Sequence, residues 1–383
     1  MDQKILHRML EPVIEKAMVP QRVALIFGAR RVGKTILLEN ILKQVKGNVL
    51  LLNGDDADTL RLLEERSIAN YRRLLHGVDV LAIDEAQQIP DIGHKLKLIV
   101  DTIQNIRVIA TGSSSFDLLN QSGEPLVGRA RQFLLTPFSQ KEISQEENVL
   151  ETRRALPDRL IYGAYPDVVK MENNTDRQNY LEQMAEGYLL KDILKLDGIR
   201  NSAGLVSLLK LIAHQVGREV SYDELGKQIG LSRNTVIRYL DLLSKVYIIY
   251  SLSGYSGNMR KEVTKSSKWY FYDNGILNVL TGNFKSAALR TDEEMGLLWE
   301  NYMVSEVVKN SLNRDGLEKF YFWRTYDKKE IDLLAASPGG AIQAYEFKWG
   351  KKKPPVPKSF ATAYPHATYH VINPNNYHEF LEL

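Results

Sequence analysis

The chain has 383 residues, 44% of them hydrophobic and 25% charged, with a net charge of +3 and no cysteine. Its length exceeds one ordinary core and implies about two to four domains; the composition is that of soluble globular protein. Without cysteine, a disulfide scaffold, a thiol nucleophile and a Cys-ligated zinc site are excluded. The opening MDQKILHRMLEPVIEKAM lacks the apolar core and cleavage site of a secretory signal, and no run reaches the about 18 apolar residues of a membrane span. A cytoplasmic location with no membrane partner is expected.

Taken in order, the first 145 residues alternate apolar runs with helical stretches, the pattern of a parallel α/β sheet. Strands are expected at 23–27, 48–52, 78–83, 106–111 and 131–135, each short and apolar enough to be buried on both faces. Residues 150–200 read as mostly helical, broken at Gly163 and Pro166. Amphipathic helices follow over 204–245. Five runs rich in aromatic and β-branched residues then read as strands: VYIIYSL, SKWYFYD, KFYFWR, IDLLA and AIQAYEFK. Charge is uneven: residues 201–290 carry 12 Lys and Arg against 6 Asp and Glu, a net +6, whereas 1–200 and 291–383 come to −1 and −2. A basic middle segment points to a polyanionic partner.

The segment GARRVGKT (28–35) follows an apolar strand and precedes a helix, the setting in which G-x-x-x-x-G-K-[ST] cradles phosphates. Gly28 and Gly33 let backbone N–H groups wrap the anion at a helix N-terminus. Lys34 would reach the β- and γ-phosphates of ATP and Thr35 would hold Mg²⁺. Arg30 and Arg31 add positive charge beside the phosphates or anchor the loop to acids. The strand VDVLAI ends in Asp84, which would support the metal, and Glu85, which would polarise the attacking water. At the end of the strand VIATG, one of Ser113 to Ser115 would sense the γ-phosphate. Arg129 is a candidate arginine finger acting on a neighbouring subunit, with Arg131 its competitor.

Residues 221–252 read as helix, tight turn, helix and strand. Ser221 and Glu224 form a capping box, Gly230 closes the first helix and Ser232 caps the second. Val236, Tyr239, Leu240 and Leu243 share one face; Arg233, Asn234 and Arg238 lie off it, free to face a DNA groove. This is the plan of a winged helix-turn-helix, a module that serves protein contacts as well as nucleic acid.

Together GARRVGKT, IDEAQ, TGSSSF, YGAYPDVV, the helix-turn-helix, WYFYDNGILNVL, GLLWENYMVSEV and EIDLL…YEFKWG resemble the prokaryotic AAA+ ATPases. More closely, they resemble those joining an ATPase domain to a C-terminal domain of unknown function similar to PD-(D/E)xK nucleases. The resemblance covers nearly the whole chain. It implies an α/β fold in four parts: an AAA+ sheet (1–145, strand order 5-1-4-3-2), a helical lid or linker (146–203), a winged helix-turn-helix (204–256) and a nuclease-like α/β domain (257–383). It also implies a homo-oligomer, possible as a ring, that works on DNA. In the nuclease-like part, Glu300 in the amphipathic GLLWENYMVSEVV would be the helix acid, Asp332 the strand acid, and Glu346 and Lys348 the E-x-K pair on one strand face. Ile331 stands where that motif has proline, which lowers its specificity. The function expected is an ATP-hydrolysing, DNA-binding or DNA-remodelling oligomer. The alternatives are an ATP-gated, Mg²⁺-dependent DNA nuclease, and a signalling or protein-remodelling ATPase without nucleic acid.

Overall fold

A computed structural model of the protein describes residues 6–113, 126–189, 201–256, 267–325, 327–351 and 353–383. Ser114, Ser115 and the expected helical stretch 190–200 lie outside the described residues. The chain forms two compact units. The first is Met1–Thr136 with Lys245–Tyr247 and Leu312–Asp315; the second is Pro137–Ser244 with Ile248–Ser311 and Gly316–Leu383.

In the first unit, β1 (Val23–Phe27), β2 (Val49–Asn53), β3 (Val80–Asp84), β4 (Arg107–Gly112) and β5 (Ala130–Leu134) form a parallel sheet ordered β2-β3-β4-β1-β5. This is the 5-1-4-3-2 order that the resemblance implies. Parallel neighbours need crossovers, supplied here by helices that include α2 (Lys34–Gln44), α3 (Ala57–Leu62), α4 (Ile68–Leu74) and α5 (Ile92–Thr102); α1 (Glu11–Ala17) precedes β1. Leu25, Phe27, Tyr71, Ile83, Leu96, Ile99 and Ala110 pack into one core. Every residue of β1 and β3 is buried. The edge strand β2 departs from that expectation: Leu51 is 49% exposed, because an edge strand is not covered on all sides. With all five strands parallel, Phe27, Asn53, Asp84 and Gly112 end at one edge of the sheet, the edge at which open α/β sheets bind ligands.

In the second unit the helices are α6 (Gln140–Ile143), α7 (Val149–Tyr162), α8 (Pro166–Lys170), α9 (Asn174–Met184), α10 (Ser202–His214), α11 (Tyr222–Ile229), α12 (Arg233–Lys245), α13 (Asn274–Thr281), α14 (Asp292–Asn313), α15 (Lys358–Ala363) and α16 (Tyr377–Phe380). Its strands are β6 (Glu219–Val220), β7 (Ile249–Gly254), β8 (Ser267–Phe271), β9 (Lys319–Arg324), β10 (Glu330–Ala336), β11 (Ile342–Phe347) and β12 (Thr368–Ile372), in one sheet ordered β12-β11-β10-β9-β7-β8-β6. The boundary expected between 256 and 257 therefore falls between β7 and β8, which pair antiparallel from Ile249↔Phe271 to Ser253↔Ser267. This pair does not stand apart as a wing: β7 continues into the C-terminal strands through its parallel pairing with β9. Ser221 caps α11 by accepting the Glu224 N–H at 3.4 Å, without the return bond of a full capping box among the described residues. Gly230 closes α11 in the left-handed region (φ 69°).

One further expectation is corrected, while the expected break at Gly163 and Pro166 is present. The helix α14 is not amphipathic: Trp299, Asn301, Glu306 and Lys309 are all buried, because its polar side chains bond inside the unit. Asn301 accepts the Phe271 N–H at 2.8 Å, Glu306 accepts the Gln140 N–H at 2.6 Å, and Lys309 donates to Phe138 O at 3.1 Å. The break at Gly163 is likewise a packing device. Gly163 has φ 72°, and a Cβ there would lie 2.1 Å from Asp273 Oδ1. Buried Asp273 caps α13 through Gly275 N and also accepts the Ala164 N–H at 2.7 Å.

Candidate functional site

In the first unit, the loop after β1 enters α2 through Gly33, which is left-handed at φ 95°. Gly28 has no room for a side chain, since a Cβ would meet Leu135 O at 2.3 Å. Arg31 is also left-handed (φ 65°) and exposed, and Arg30 is half-buried. The buried Lys34 ammonium donates to Gly28 O at 3.1 Å and Ala29 O at 3.0 Å, so it lies within the loop's own concavity. At the carboxyl end of β3, Asp84 is buried and uses both oxygens: Oδ2 accepts from Thr35 Oγ1 at 2.7 Å, and Oδ1 accepts from Thr111 Oγ1. Thr111 also accepts the Glu85 N–H at 3.1 Å. Glu85 itself is left-handed (φ 49°), an uncommon backbone conformation outside glycine, Asn and Asp. Gln87 donates to Glu85 Oε2, and its Oε1 accepts the Ser113 N–H at 3.3 Å. Thr111 and Gln87 thus tie the acids of β3 to the end of β4. Sequence reading missed both, although Thr111 stands two residues before Ser113 in a strand already singled out. The oxygens of Thr35 and Asp84 are the hard donors that Mg²⁺ takes, and this pair fits that ion.

Arg129 is not brought to this phosphate loop. The Val23 N–H donates to Arg129 O at 2.8 Å, which sets Arg129 at the amino ends of the strands. A five-residue strand, roughly 16 Å long, separates those ends from the loop. The Arg129 guanidinium pairs with Asp101 at 2.5 Å, and Arg131 pairs with Asp315.

In the second unit, Glu300, Asp332, Glu346 and Lys348 do come together, joined by residues the sequence did not announce. Asp332 Oδ2 accepts the Phe347 N–H at 2.7 Å, next to a register shift between Ile331 and Leu334. Lys348 Nζ lies 2.7 Å from Glu346 Oε1 and 3.8 Å from Asp332 Oδ2. Lys268, 2% exposed on β8, pairs with Glu330 and lies 3.8 Å from Glu300 Oε1. Tyr270 donates to the same Glu300 oxygen at 2.8 Å, and Arg324 pairs with Glu219 at 2.8 Å. Among the described residues, buried Glu346 Oε2 has no hydrogen-bond partner.

The electrostatics follow from burial. Burial and the neighbouring Asp332 charge push Glu300 up to about 7, against the pull of Lys268 and Tyr270. Burial and Asp332 likewise raise Glu346 to about 7, opposed by Lys348. Burial raises Asp332 too, offset by Lys348 and Lys268. For Lys268, burial works against the ammonium, but Glu300, Glu330 and Asp332 outweigh it and raise its pKa. Among the described residues no group of three His, Asp or Glu is spaced to hold a metal ion. As they stand, these carboxylates do not fit the divalent ion expected of a nuclease-like site.

The residues of the helix-turn-helix divide as their spacing predicts. Val236, Tyr239, Leu240 and Leu243 are buried, while Arg233, Asn234 and Arg238 are exposed. Arg233 lies 3.3 Å from Asp223.

Comparison with known proteins bears on the first unit most directly. Residues 20–144 match the family model described as an AAA domain. Residues 153–287 and 295–381 match two models, each described as a domain of unknown function (DUF8612 and DUF4143). The AAA and DUF4143 matches support the resemblance to prokaryotic AAA+ ATPases. An uncharacterised protein of Mycobacterium tuberculosis is 26% identical over 330 residues, covering 85% of this chain and 70% of the relative. One of Haemophilus influenzae is 25% identical over 338 residues, covering 82% and 79%. Among solved structures, the Thermotoga maritima RuvB Holliday junction branch migration motor is 18% identical, covering 63% of this chain and 85% of that one, with a TM-score of 0.30. No helix among the described residues is long and apolar enough to cross a membrane.

Proposed function

We propose that this chain binds ATP with Mg²⁺ at residues 28–35 and hydrolyses it, and that an oligomer uses the turnover to act on DNA. The observation that carries this reading is Asp84, buried with one oxygen on Thr35 and the other on Thr111. A carboxylate committed in this way is fixed beside the phosphate loop before any ligand arrives, which is what electrostatic preorganisation requires. Lys34 would exchange the carbonyls of Gly28 and Ala29 for β- and γ-phosphate oxygens. Thr35 and Asp84 would hold the Mg²⁺, which neutralises phosphate charge when bound. Glu85 would take the proton of the attacking water, while Gln87 holds its carboxylate and senses the end of β4 through Ser113.

DNA as partner is supported by the net +6 of residues 201–290 and by the exposed Arg233, Asn234 and Arg238 on α12. An arginine finger at Arg129 would serve a neighbouring subunit's nucleotide, since its own lies at the other end of the strands. An ATP-gated nuclease is disfavoured by the two lysines that already occupy the second unit's carboxylates. ATP turnover measured with duplex, single-stranded and branched DNA tests the proposal: stimulation by one of them is expected. Turnover indifferent to all three, with no DNA binding at moderate salt, would instead favour a protein-remodelling ATPase.

A further inference from the structure

The carboxylate cluster of the second unit contains its own cations. Glu300 from α14 and Glu330 from β10 flank the ammonium of Lys268, and the charge of Asp332 on β10 also acts on it; farther out, Arg324 lies 3.9 Å from Glu330 and Lys348 3.8 Å from Asp332. The Lys268 side chain crosses the sheet over the Phe322 ring, with Nζ 5.4 Å from the ring centroid. Lys268 pairs with Glu330 and approaches Glu300 to 3.8 Å. Lysine is almost never fully buried unless paired, and this one, 2% exposed, meets carboxylates from two different elements. Hard divalent ions seek such an oxygen set, and an independent sign of unmet demand for positive charge is Glu346 Oε2, which is buried without a hydrogen-bond partner among the described residues. Yet one oxygen of each acid is already engaged: Glu300 Oε1 accepts from Tyr270, Asp332 Oδ2 accepts the Phe347 N–H, and Glu346 Oε1 pairs with Lys348. A divalent ion entering among them would face a buried ammonium with nowhere to go.

We propose that Lys268 is a tethered cation standing where these carboxylates would otherwise hold a divalent metal, so that the second unit keeps a closed metal site and does not cut phosphodiesters. The inference concerns the nuclease-like reading of this unit and is independent of ATP turnover in the other. Removing the ammonium takes the near cation from Glu300 and Glu330, and leaves Arg324 3.9 Å from Glu330 and Lys348 3.8 Å from Asp332. The mutual repulsion of the carboxylates is then relieved by binding a hard cation.

The test is metal rescue of the nucleotide-free full chain, with Mn²⁺ as the probe. Thermal melting and Mn²⁺ electron paramagnetic resonance are recorded for the wild type, Lys268→Met and Lys268→Gln, each with and without Glu300→Gln. Expected is a wild type whose melting is indifferent to Mn²⁺. The Lys268 variants should melt lower and recover with Mn²⁺. Their affinity for Mn²⁺ should exceed the wild type's by roughly tenfold or more, the size of a like-charge penalty of one pKa unit or above. Adding Glu300→Gln should abolish that gain. A variant that does not fold alone is refolded with and without Mn²⁺: recovery in Mn²⁺ supports the proposal, and failure in both overturns it. Wild-type chain that binds Mn²⁺ at the cluster, with binding lost in Glu346→Gln, overturns it. So do folded Lys268 variants that gain nothing from Mn²⁺.

Discussion

Replacing Glu346 with glutamine keeps its shape and removes a buried charge, one of whose oxygens has no hydrogen-bond partner among the described residues. Burial, then the charge of Asp332, raises this carboxyl from the usual 4.5 to about 7. The unfolded chain releases the proton near the ordinary value and the folded chain holds it longer. Between the two values the native state therefore binds more protons, and stability falls as pH rises. At about 1.4 kcal/mol per pKa unit, the full effect is on the order of 3 kcal/mol, present at acid pH and lost once the folded carboxyl ionises. Coupling to Asp332 and Glu300 spreads the transition over the cluster. Tryptophan fluorescence reports the second unit alone, because all four tryptophans (Trp269, Trp299, Trp323 and Trp349) lie in it. Urea melts followed by that signal from about pH 5 to pH 8 should show the wild type losing stability. Glu346→Gln should lose less and exceed the wild type at the alkaline end; the residual slope belongs to the other carboxyls that burial raises, Glu300, Asp332, Glu306 and Asp273. Wild-type stability that rises over this range, or an unchanged slope in the variant, refutes the reasoning.

Gly163→Ala would force a methyl to within 2.1 Å of Asp273 Oδ1 at a φ of 72°; a loss of about 2 kcal/mol or more is expected, read by the same fluorescence melts. Thr111→Val removes the hydroxyl that orients Asp84 and accepts the Glu85 N–H, and should lower turnover by roughly tenfold or more while nucleotide binding changes less. Arg233→Ala with Arg238→Ala should weaken DNA binding and reduce its salt dependence by about one to two released counterions; unchanged affinity and slope would remove α12 from the DNA contact.

The first unit was legible because its signals are local. Five apolar runs became five strands with ends displaced by a residue or two, and the phosphate loop is contiguous from Gly28 to Thr35. What periodicity could not show is that Thr111 completes the site, since it meets Asp84 and Glu85 only through the pairing of β3 beside β4, nor that Gln87, two residues from Glu85, also reaches Ser113 at the end of β4. In the second unit the acids at 300, 332 and 346 were found, but Lys268 was counted among surface charges of a basic segment. Its burial depends on a sheet joining β8 to β10 through β7 and β9, a long-range arrangement that no local pattern encodes. The same sheet removes the boundary expected at 256. The stretch GLLWENYMVSEVV of α14 reads as amphipathic, whereas Asn301, Glu306 and Lys309 are buried and satisfied internally.

The central claim is ATP hydrolysis at the cradle of residues 28–35, and the most direct measurement compares nucleotide binding with steady-state turnover in Lys34→Ala and Glu85→Gln. Lys34→Ala should bind no ATP, since the phosphates lose their only buried ammonium among the described residues of the loop. Glu85→Gln should bind ATP and Mg²⁺ normally and hydrolyse it at least about a hundredfold more slowly, the scale of a lost general base. Unchanged turnover in both variants would contradict the account.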